Sequence, residues 1–294
     1  MNPPPASHRR GILSMLLAVA TFCLMDACMK ALTPHYPPMQ IAALRGLTSL
    51  PLIAAWALLD GGARQLVRVR WPLHLLRGVL SVLMLAAFAY GLKTLPLAEA
   101  YSLFFVAPLL ITALAVPILG ERVGWRRWSA IAIGLVGTVI VLRPSGAGML
   151  SLGGLAVIAA AAAYALSAIV VRVLGRTDST QSMVFWMLAM LSLIATVLAW
   201  PQWVAPRAEH AWLLGALAVT GAVGQWGITD AFQRTPASLL APLEYTALVW
   251  GLGLDWLLWS ALPDRTMLIG ASIIVVAGLY LLRRERDPQV TTPP

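Results

Sequence analysis

Residues 11–32, GILSMLLAVATFCLMDACMKAL, and residues 153–174, GGLAVIAAAAAYALSAIVVRVL, are apolar stretches of related pattern in the two halves of the chain. At one constant offset, the matching pairs are Gly11 with Gly153, Phe22 with Tyr164, and Lys30 with Arg172. Each stretch can cross a bilayer as a helix, because about 20 apolar residues span a hydrocarbon core of about 30 Å. The pattern predicts two related transmembrane helices, one at the start of each half.

The whole chain has the composition of a membrane protein. Of its 294 residues, 60% are hydrophobic and 11% are charged, and the mean hydropathy is +0.80. A soluble domain could not bury so much apolar surface, and the apolar runs lack the alternation of barrel strands. We therefore predict an all-α polytopic membrane protein with ten transmembrane helices. These helices are predicted at residues 11–32, 39–59, 72–93, 97–119, 127–143, 151–173, 181–200, 212–233, 237–259 and 266–282.

The domain organisation follows from the repeat. Residues 10–143 and 151–284 each contain five predicted helices. An odd number of crossings makes the second half enter the bilayer from the opposite side, which predicts two inverted five-helix repeats around a central cavity. Inverted repeats of this kind are characteristic of secondary transporters.

The basic residues predict the orientation. Lys and Arg stay on the cytoplasmic side of a membrane, and most of the 21 in this chain lie there if the N-terminus is inside. We therefore expect both termini to be cytoplasmic, in a bacterial inner membrane. The net charge of +9 is then spread over loops that face anionic lipid, and nucleic acid is not an expected partner.

Motifs of catalysis and of ATP hydrolysis are missing from the sequence. It contains no GxxxxGK[ST], HExxH or GxSxG pattern, and its four histidines lie at predicted span ends or in tails. Cys23 and Cys28 are on one predicted helix at a spacing that suits neither a disulfide nor a metal. The sequence predicts a protein that is not an enzyme and that uses no cofactor or metal. Transport would follow the substrate's gradient or an ion gradient.

A family resemblance rests on the fourth and fifth predicted spans. Residues 95–128, LPLAEAYSLFFVAPLLITALAVPILGERVGWRRW, are followed by the spaced glycines of residues 133–144, IGLVGTVIVLRP, and Arg45 occurs in IAALRGL. This pattern resembles the drug/metabolite transporter superfamily, in particular ten-helix exporters with two EamA-type repeats, and is most similar to bacterial YddG-type exporters of aromatic amino acids. The second half departs from it. Ser260-Ala261 stands where the first half has Gly120-Glu121, and Leu248 stands where it has Pro108.

The resemblance implies alternating access around a cavity built mainly by spans 1, 3, 4, 6, 8 and 9, with aromatic or amphipathic amino acids as exported substrates. The chain would act as a monomer, because two repeats complete one pathway. The same architecture would also suit an uptake carrier or a multidrug efflux pump. A channel or a non-transporting membrane scaffold is the alternative from another class, although these spans lack the polar lining of a channel.

Aromatic residues deep in these spans are candidates for substrate contact, because rings can stack on a planar substrate. They equally suit packing in the bundle or against lipid. The hydroxyl of Tyr164 requires a polar partner at this depth, and Gln225 is either a ligand contact or a link between helices. The predicted substrate-binding residues are Phe22, Tyr101, Phe105, Tyr164, Gln225, Trp226, Glu244, Tyr245 and Trp250.

Charged residues inside the predicted spans are the remaining candidates, because such groups are costly in a membrane. Asp26 and Lys30 are one helical turn apart, which favours a local ion pair that a substrate could replace. Arg45 could attract a carboxylate or pair with Glu99. Glu244 could carry a coupling proton or bind an amino group.

Helix-breaking residues predict where the spans bend. Each proline removes a helical hydrogen bond, and a kink in span four or nine could act as a hinge or only shape the bundle. The predicted hinge residues are Pro108, Pro117, Pro242 and Gly251.

Overall fold

A computed structural model describes residues 5–60, 64–95, 97–145, 150–260 and 262–284. Throughout these ranges the regular structure is helical and no strand occurs. Short 3-10 segments occur at Trp200–Gln202, Ala208–His210 and Ala241–Tyr245. The α-helices are α1 Pro5–Leu32, α2 Pro38–Asp60, α3 Arg64–Val67, α4 Trp71–Thr94, α5 Leu97–Phe104, α6 Ala107–Leu119, α7 Trp125–Leu142, α8 Leu152–Leu174, α9 Thr180–Ala199, α10 Ala211–Arg234, α11 Ala237–Leu240, α12 Thr246–Trp259 and α13 Arg265–Arg284.

The predicted all-α membrane architecture is confirmed. Within the described ranges, nine helical segments are long and apolar enough to cross a bilayer, and Arg265–Tyr280 in α13 is a shorter apolar segment. Each of the ten predicted spans coincides with a helical region, but the tenth is below the length that alone identifies a crossing. Two spans are each assembled from separate helices, α5 with α6 and α11 with α12.

The first of two compact units combines Met1–Leu85 with Leu166–Thr235. In it α1 packs against α10, and α2 packs against both α9 and α10. Small residues allow these close approaches. A Cβ on Gly46 of α2 would lie 2.1 Å from the hydroxyl of Ser192, and one on Gly227 would lie 2.9 Å from the carbonyl oxygen of Ser14.

The second unit combines Ala86–Ala165 with Pro236–Pro294. Its main helix pair is α7 with α13, which cross at two glycines. A Cβ on Gly270 would lie 2.7 Å from the carbonyl oxygen of Gly137, so any larger residue would force the two backbones apart.

Equivalent positions in the two sequence halves make equivalent contacts. A Cβ on Gly11 would lie 2.0 Å from Oγ1 of Thr235 in the first unit, and a Cβ on Gly153 would lie 1.9 Å from Oγ1 of Thr94 in the second. Both units therefore contain helices from both sequence halves, in the pattern that a duplicated chain would produce.

Ser260 takes the place of Gly120 in the second half, and both residues lie at the end of a helix. Gly120 ends α6 with φ of 69°, and Ser260 ends α12 with φ of 56°. Both helices thus end with a residue in the left-handed conformation. Glycine, which favours this conformation, occupies the position in the first half, and serine occupies it in the second. Ala261, which stands opposite Glu121 in the repeat, lies outside the described residues.

Candidate functional site

Two interrupted spans in the second unit position the candidate site. The α-helical hydrogen-bond pattern is interrupted at Phe105 and Val106 between α5 and α6, and Pro108 follows at the start of α6. The second interruption is the 3-10 segment Ala241–Tyr245 with Pro242. Proline lacks a backbone donor, so each interruption frees backbone carbonyls for other partners. Pro108 and Pro242, two of the predicted hinge residues, lie at these interruptions.

Tyr245 joins the two interruptions. Its hydroxyl donates to the carbonyl oxygen of Phe105 at 3.2 Å, and the two rings lie 6.0 Å apart. The side chain is fully buried against Ile131 and Ile274. Both Tyr245 and Phe105 were predicted to contact substrate. In this conformation Tyr245 instead has no exposed surface for a ligand, because its ring fills the core and its hydroxyl is occupied.

Glu244 is held on the other side of the same 3-10 segment. The hydroxyl of Tyr164, in the middle of α8, donates to its Oε1 at 3.0 Å. Glu244 is therefore the polar partner that a hydroxyl at this depth requires. Both residues are only partly buried, so part of the surface of this pair of residues remains accessible.

A chain of aromatic rings extends from Tyr164. The ring of Phe104 lies 5.8 Å from that of Tyr164, and Phe88 lies 5.3 Å from Phe104 and 5.6 Å from Tyr101. Tyr101 is 40% exposed. We call Phe88, Tyr101, Phe104, Tyr164 and Glu244 the carboxylate-aromatic cluster. A carboxylate beside aromatic faces can bind an ammonium group and pack a planar substrate.

Sequence reasoning missed two members of this cluster. Phe104 is three residues after Tyr101 on α5, so the helical spacing of neighbouring side chains could have identified it. Phe88 is on α4, and the sequence offers no signal that its ring faces α5 rather than lipid.

Arg45 forms a second charged group, in the first unit. Its guanidinium lies 5.4 Å from the centroid of the Phe22 ring, and its charge interacts with that of Asp26 on α1. Its Nε is buried and has no hydrogen-bond partner among the described residues. This arrangement suits a carboxylate ligand. Lys30 is exposed on α1.

Glu99 has a hydrogen-bond partner within its own unit. One of its oxygens accepts a hydrogen bond from the hydroxyl of Ser145, within the second unit. The residue is buried, so this hydroxyl supports the carboxylate, whereas Arg45 interacts with Asp26.

The other predicted site residues have different surroundings. Gln225 is 3% exposed, which favours the linking role over ligand contact. Trp226 packs edge-on against Trp56, with ring centroids 6.5 Å apart. Trp250 is 46% exposed on α12.

The remaining two predicted hinge residues differ in setting. Pro117 is inside α6. A Cβ on Gly251 of α12 would meet no atom of the described residues within 4 Å, so close packing does not account for this glycine. Pro51, which was not a predicted hinge, is also inside a helix, α2.

Glu121 fixes the start of α11. Its carboxylate accepts the backbone N–H groups of Ala237 at 2.8 Å and Ser238 at 3.1 Å, and the Ser238 hydroxyl at 2.6 Å. Arg127 donates to the same hydroxyl at 2.9 Å. Glu121, which has Ala261 as its counterpart in the second half, therefore caps α11, the first helix of the interrupted ninth span. The described residues include no group of His, Cys, Asp and Glu that could hold a metal ion.

A polytopic helical protein with interrupted spans and charged groups at membrane depth has the features of a transporter. The chain belongs to the EamA-like transporter family, whose model matches residues 9–143 and 151–284. The predicted membership in the drug/metabolite transporter superfamily is thereby confirmed.

Similar proteins are named as transporters of several different small molecules. The pseudopaline exporter of Pseudomonas aeruginosa strain PAO1 is 29% identical over 95% of this chain and 98% of its own. The S-adenosylmethionine uptake transporter of Rickettsia prowazekii is 27% identical over 97% of each chain. The riboflavin transporter of Vibrio cholerae is 28% identical over 95% of this chain and 97% of its own. The predicted special likeness to aromatic amino acid exporters is not what these relatives show.

A solved structure shares the fold. This crystal structure matches with a TM-score of 0.81 and 23% sequence identity. The match covers 96% of this chain and 99% of that one.

Proposed function

We propose that this protein is a secondary transporter of the bacterial inner membrane that exports a small amphipathic metabolite with an amino group and a planar or aromatic part. Aromatic amino acids are the simplest members of this class. The observation that carries the proposal is the Glu244–Tyr164 pair at an interrupted span, with the ring of Phe104 next to Tyr164. The two repeats, inverted in the membrane, would provide alternating access, with both termini cytoplasmic and the monomer as the functional unit.

Each compact unit holds one charged group whose chemistry suits a charged substrate. Glu244 offers a carboxylate for an ammonium group. Arg45 keeps a buried Nε without a partner among the described residues, and guanidinium is the preferred partner of a carboxylate.

The relatives support a transporter of small organic molecules. Export and uptake both occur among them. One relative is an exporter of pseudopaline, and another takes up S-adenosylmethionine at similar identity to this chain. Uptake is therefore the second candidate, and the direction is decided by experiment.

Counterflow in liposomes tests the proposal. Proteoliposomes loaded with unlabelled tryptophan or phenylalanine should accumulate the radiolabelled compound transiently and saturably, with and without a pH gradient. A matched series would use S-adenosylmethionine and riboflavin. Saturable exchange of riboflavin alone, which is planar but carries no ammonium group, would overturn the proposed substrate class. Non-saturable flux of every compound would overturn the transporter mechanism. A dependence of tryptophan accumulation on the direction of the pH gradient would identify proton coupling.

A further inference from the structure

A basic cleft lies where two helices of the first unit end. It has a volume of about 420 Å³ and is lined by Arg172, Gly175, Arg176 and Gln233. Arg172 is in the last turn of α8, and Gln233 is in the last turn of α10. The lining contains two cationic side chains and no acidic one.

Hydrogen bonds hold the walls of this cleft. The side-chain amide of Gln233 donates to the carbonyl oxygens of Gly175 at 3.1 Å and Asp178 at 3.3 Å. Arg172 Nη1 donates to the carbonyl oxygens of Phe232 and Gln233 at 3.3 and 2.6 Å. A Cβ on Gly175 would lie 2.5 Å from Cγ of Gln233. The cleft therefore has a defined shape, and Arg172 stabilises the negative end of α10.

The side chain of Arg176 does not hold the end of a helix as Arg172 does. Its side chain is exposed, and among the described residues it makes no hydrogen bond or ion pair. It leaves a guanidinium with all five N–H donors available at the edge of the cleft.

The nearest acidic residue along the chain does not neutralise this charge directly. One oxygen of Asp178 accepts from the Thr177 hydroxyl at 2.7 Å, and the other accepts from the Arg70 N–H at 3.1 Å and contacts His74 at 2.8 Å. Burial raises the pKa of Asp178, but these hydrogen bonds outweigh it and the pKa lies below its usual value. Asp178 is thus ionised, with both oxygens occupied by other groups.

We propose that this cleft binds the phosphate group of an anionic phospholipid. Its lining residues lie at the ends of α8 and α10, the level at which lipid headgroups meet a transmembrane helix. Guanidinium groups bind phosphate oxygens in bidentate geometry, and basic pockets between transmembrane helices accept anionic headgroups. The cleft is on the side that we propose to be cytoplasmic. A bound headgroup would bridge the ends of the two helices and stabilise the first unit.

Lipid titration of the purified full-length protein in neutral detergent tests this site. Native mass spectrometry should show phosphatidylglycerol bound in preference to phosphatidylcholine. Arg176→Gln should weaken phosphatidylglycerol binding about fivefold, the effect of one basic residue near a membrane surface. Arg122→Gln is the matched control, because Arg122 is an exposed arginine in the loop after α6. Its binding should equal that of the unchanged protein.

Three outcomes would overturn the proposal. Equal losses in the two variants would mean attraction by general surface charge, and equal binding of the two lipids would mean that the phosphate environment is not recognised. Inorganic phosphate that occupies the site alone and displaces the lipid at equal concentration would identify a free anion as the ligand. The readout is lipid binding, so these results do not depend on which substrate the protein transports.

Discussion

Glu244 and Tyr164 are the residues through which the proposed function can be tested most directly. A carboxylate at membrane depth is costly unless a partner or a substrate offsets it, and the Tyr164 hydroxyl is the partner seen here. We expect Glu244→Gln to reduce tryptophan counterflow at least tenfold, because an amide attracts an ammonium group far less than a carboxylate does. Tyr164→Phe should reduce it by about tenfold or more, the value of a hydrogen bond to a charged group.

Initial rates of counterflow at several substrate concentrations measure both effects. Tyr280→Phe is the matched control, since Tyr280 is an exposed tyrosine on α13 and its loss should leave the rate unchanged. Full activity of Glu244→Gln would remove Glu244 from the proposed site.

Asp178 provides a prediction on stability and pH. Its pKa is lowered in the folded protein because hydrogen bonds from Thr177, Arg70 and His74 outweigh the effect of burial. A lowered pKa stabilises the fold above the unfolded value of about 3.9, and this contribution disappears as the pH falls through the folded value. Asp178→Asn should therefore lower Tm at pH 7, and its difference from the unchanged protein should shrink below about pH 4.

Thermal unfolding in detergent across this pH range measures the difference. Glu209→Gln, at an exposed carboxylate, is the control and should leave Tm nearly unchanged. A difference for Asp178→Asn that stays constant from pH 7 to pH 3 would contradict the assignment.

At the scale of helices, the sequence predicted the helical regions because apolar length is recorded along the chain itself. It did not show which prolines accompany an interruption of a helix. Pro51 and Pro117 lie inside helices, whereas Pro108 and Pro242 accompany breaks. All four lack the same backbone donor, so local chemistry does not separate them. The Tyr245 hydroxyl donates to the Phe105 carbonyl, and such a tertiary partner is invisible in a single sequence.

The cap on α11 gives a prediction for an element. Glu121 accepts two backbone N–H groups at the start of this helix, and hydrogen bonds to a charged group are worth about 1.5–3 kcal/mol. Glu121→Ala should therefore speed amide hydrogen exchange of residues 237–238 by tenfold or more. Mass spectrometry of exchanged peptides measures it, with Glu209→Gln as control. Unchanged exchange in this segment would show that other contacts hold α11.

At the scale of the whole molecule, the candidate site was partly predictable. Depth in a span can be read from sequence, and it selected Tyr164, Glu244 and Arg45, which make polar or charged contacts. The direction in which a side chain points cannot be read in this way when a helix is apolar all round. Tyr245 and Gln225 were therefore selected by depth, although both are buried in packing.

The proposed inversion of the repeats predicts on which side of the membrane two equivalent loops lie. Arg122 follows α6 in the first half, and Leu262 follows α12 at the matching position of the second. An odd number of crossings separates them, so they should face opposite sides of the membrane, with Arg122 in the cytoplasm by the positive-inside rule.

Cys23 and Cys28 are the 2 cysteines of the chain, and both can be replaced by alanine before Arg122→Cys or Leu262→Cys is introduced. In whole cells, an impermeant maleimide should label Leu262→Cys alone, and Arg122→Cys should react after the membrane is opened. Labelling of both variants from one side would contradict the inverted arrangement, because loops of parallel repeats occupy the same face.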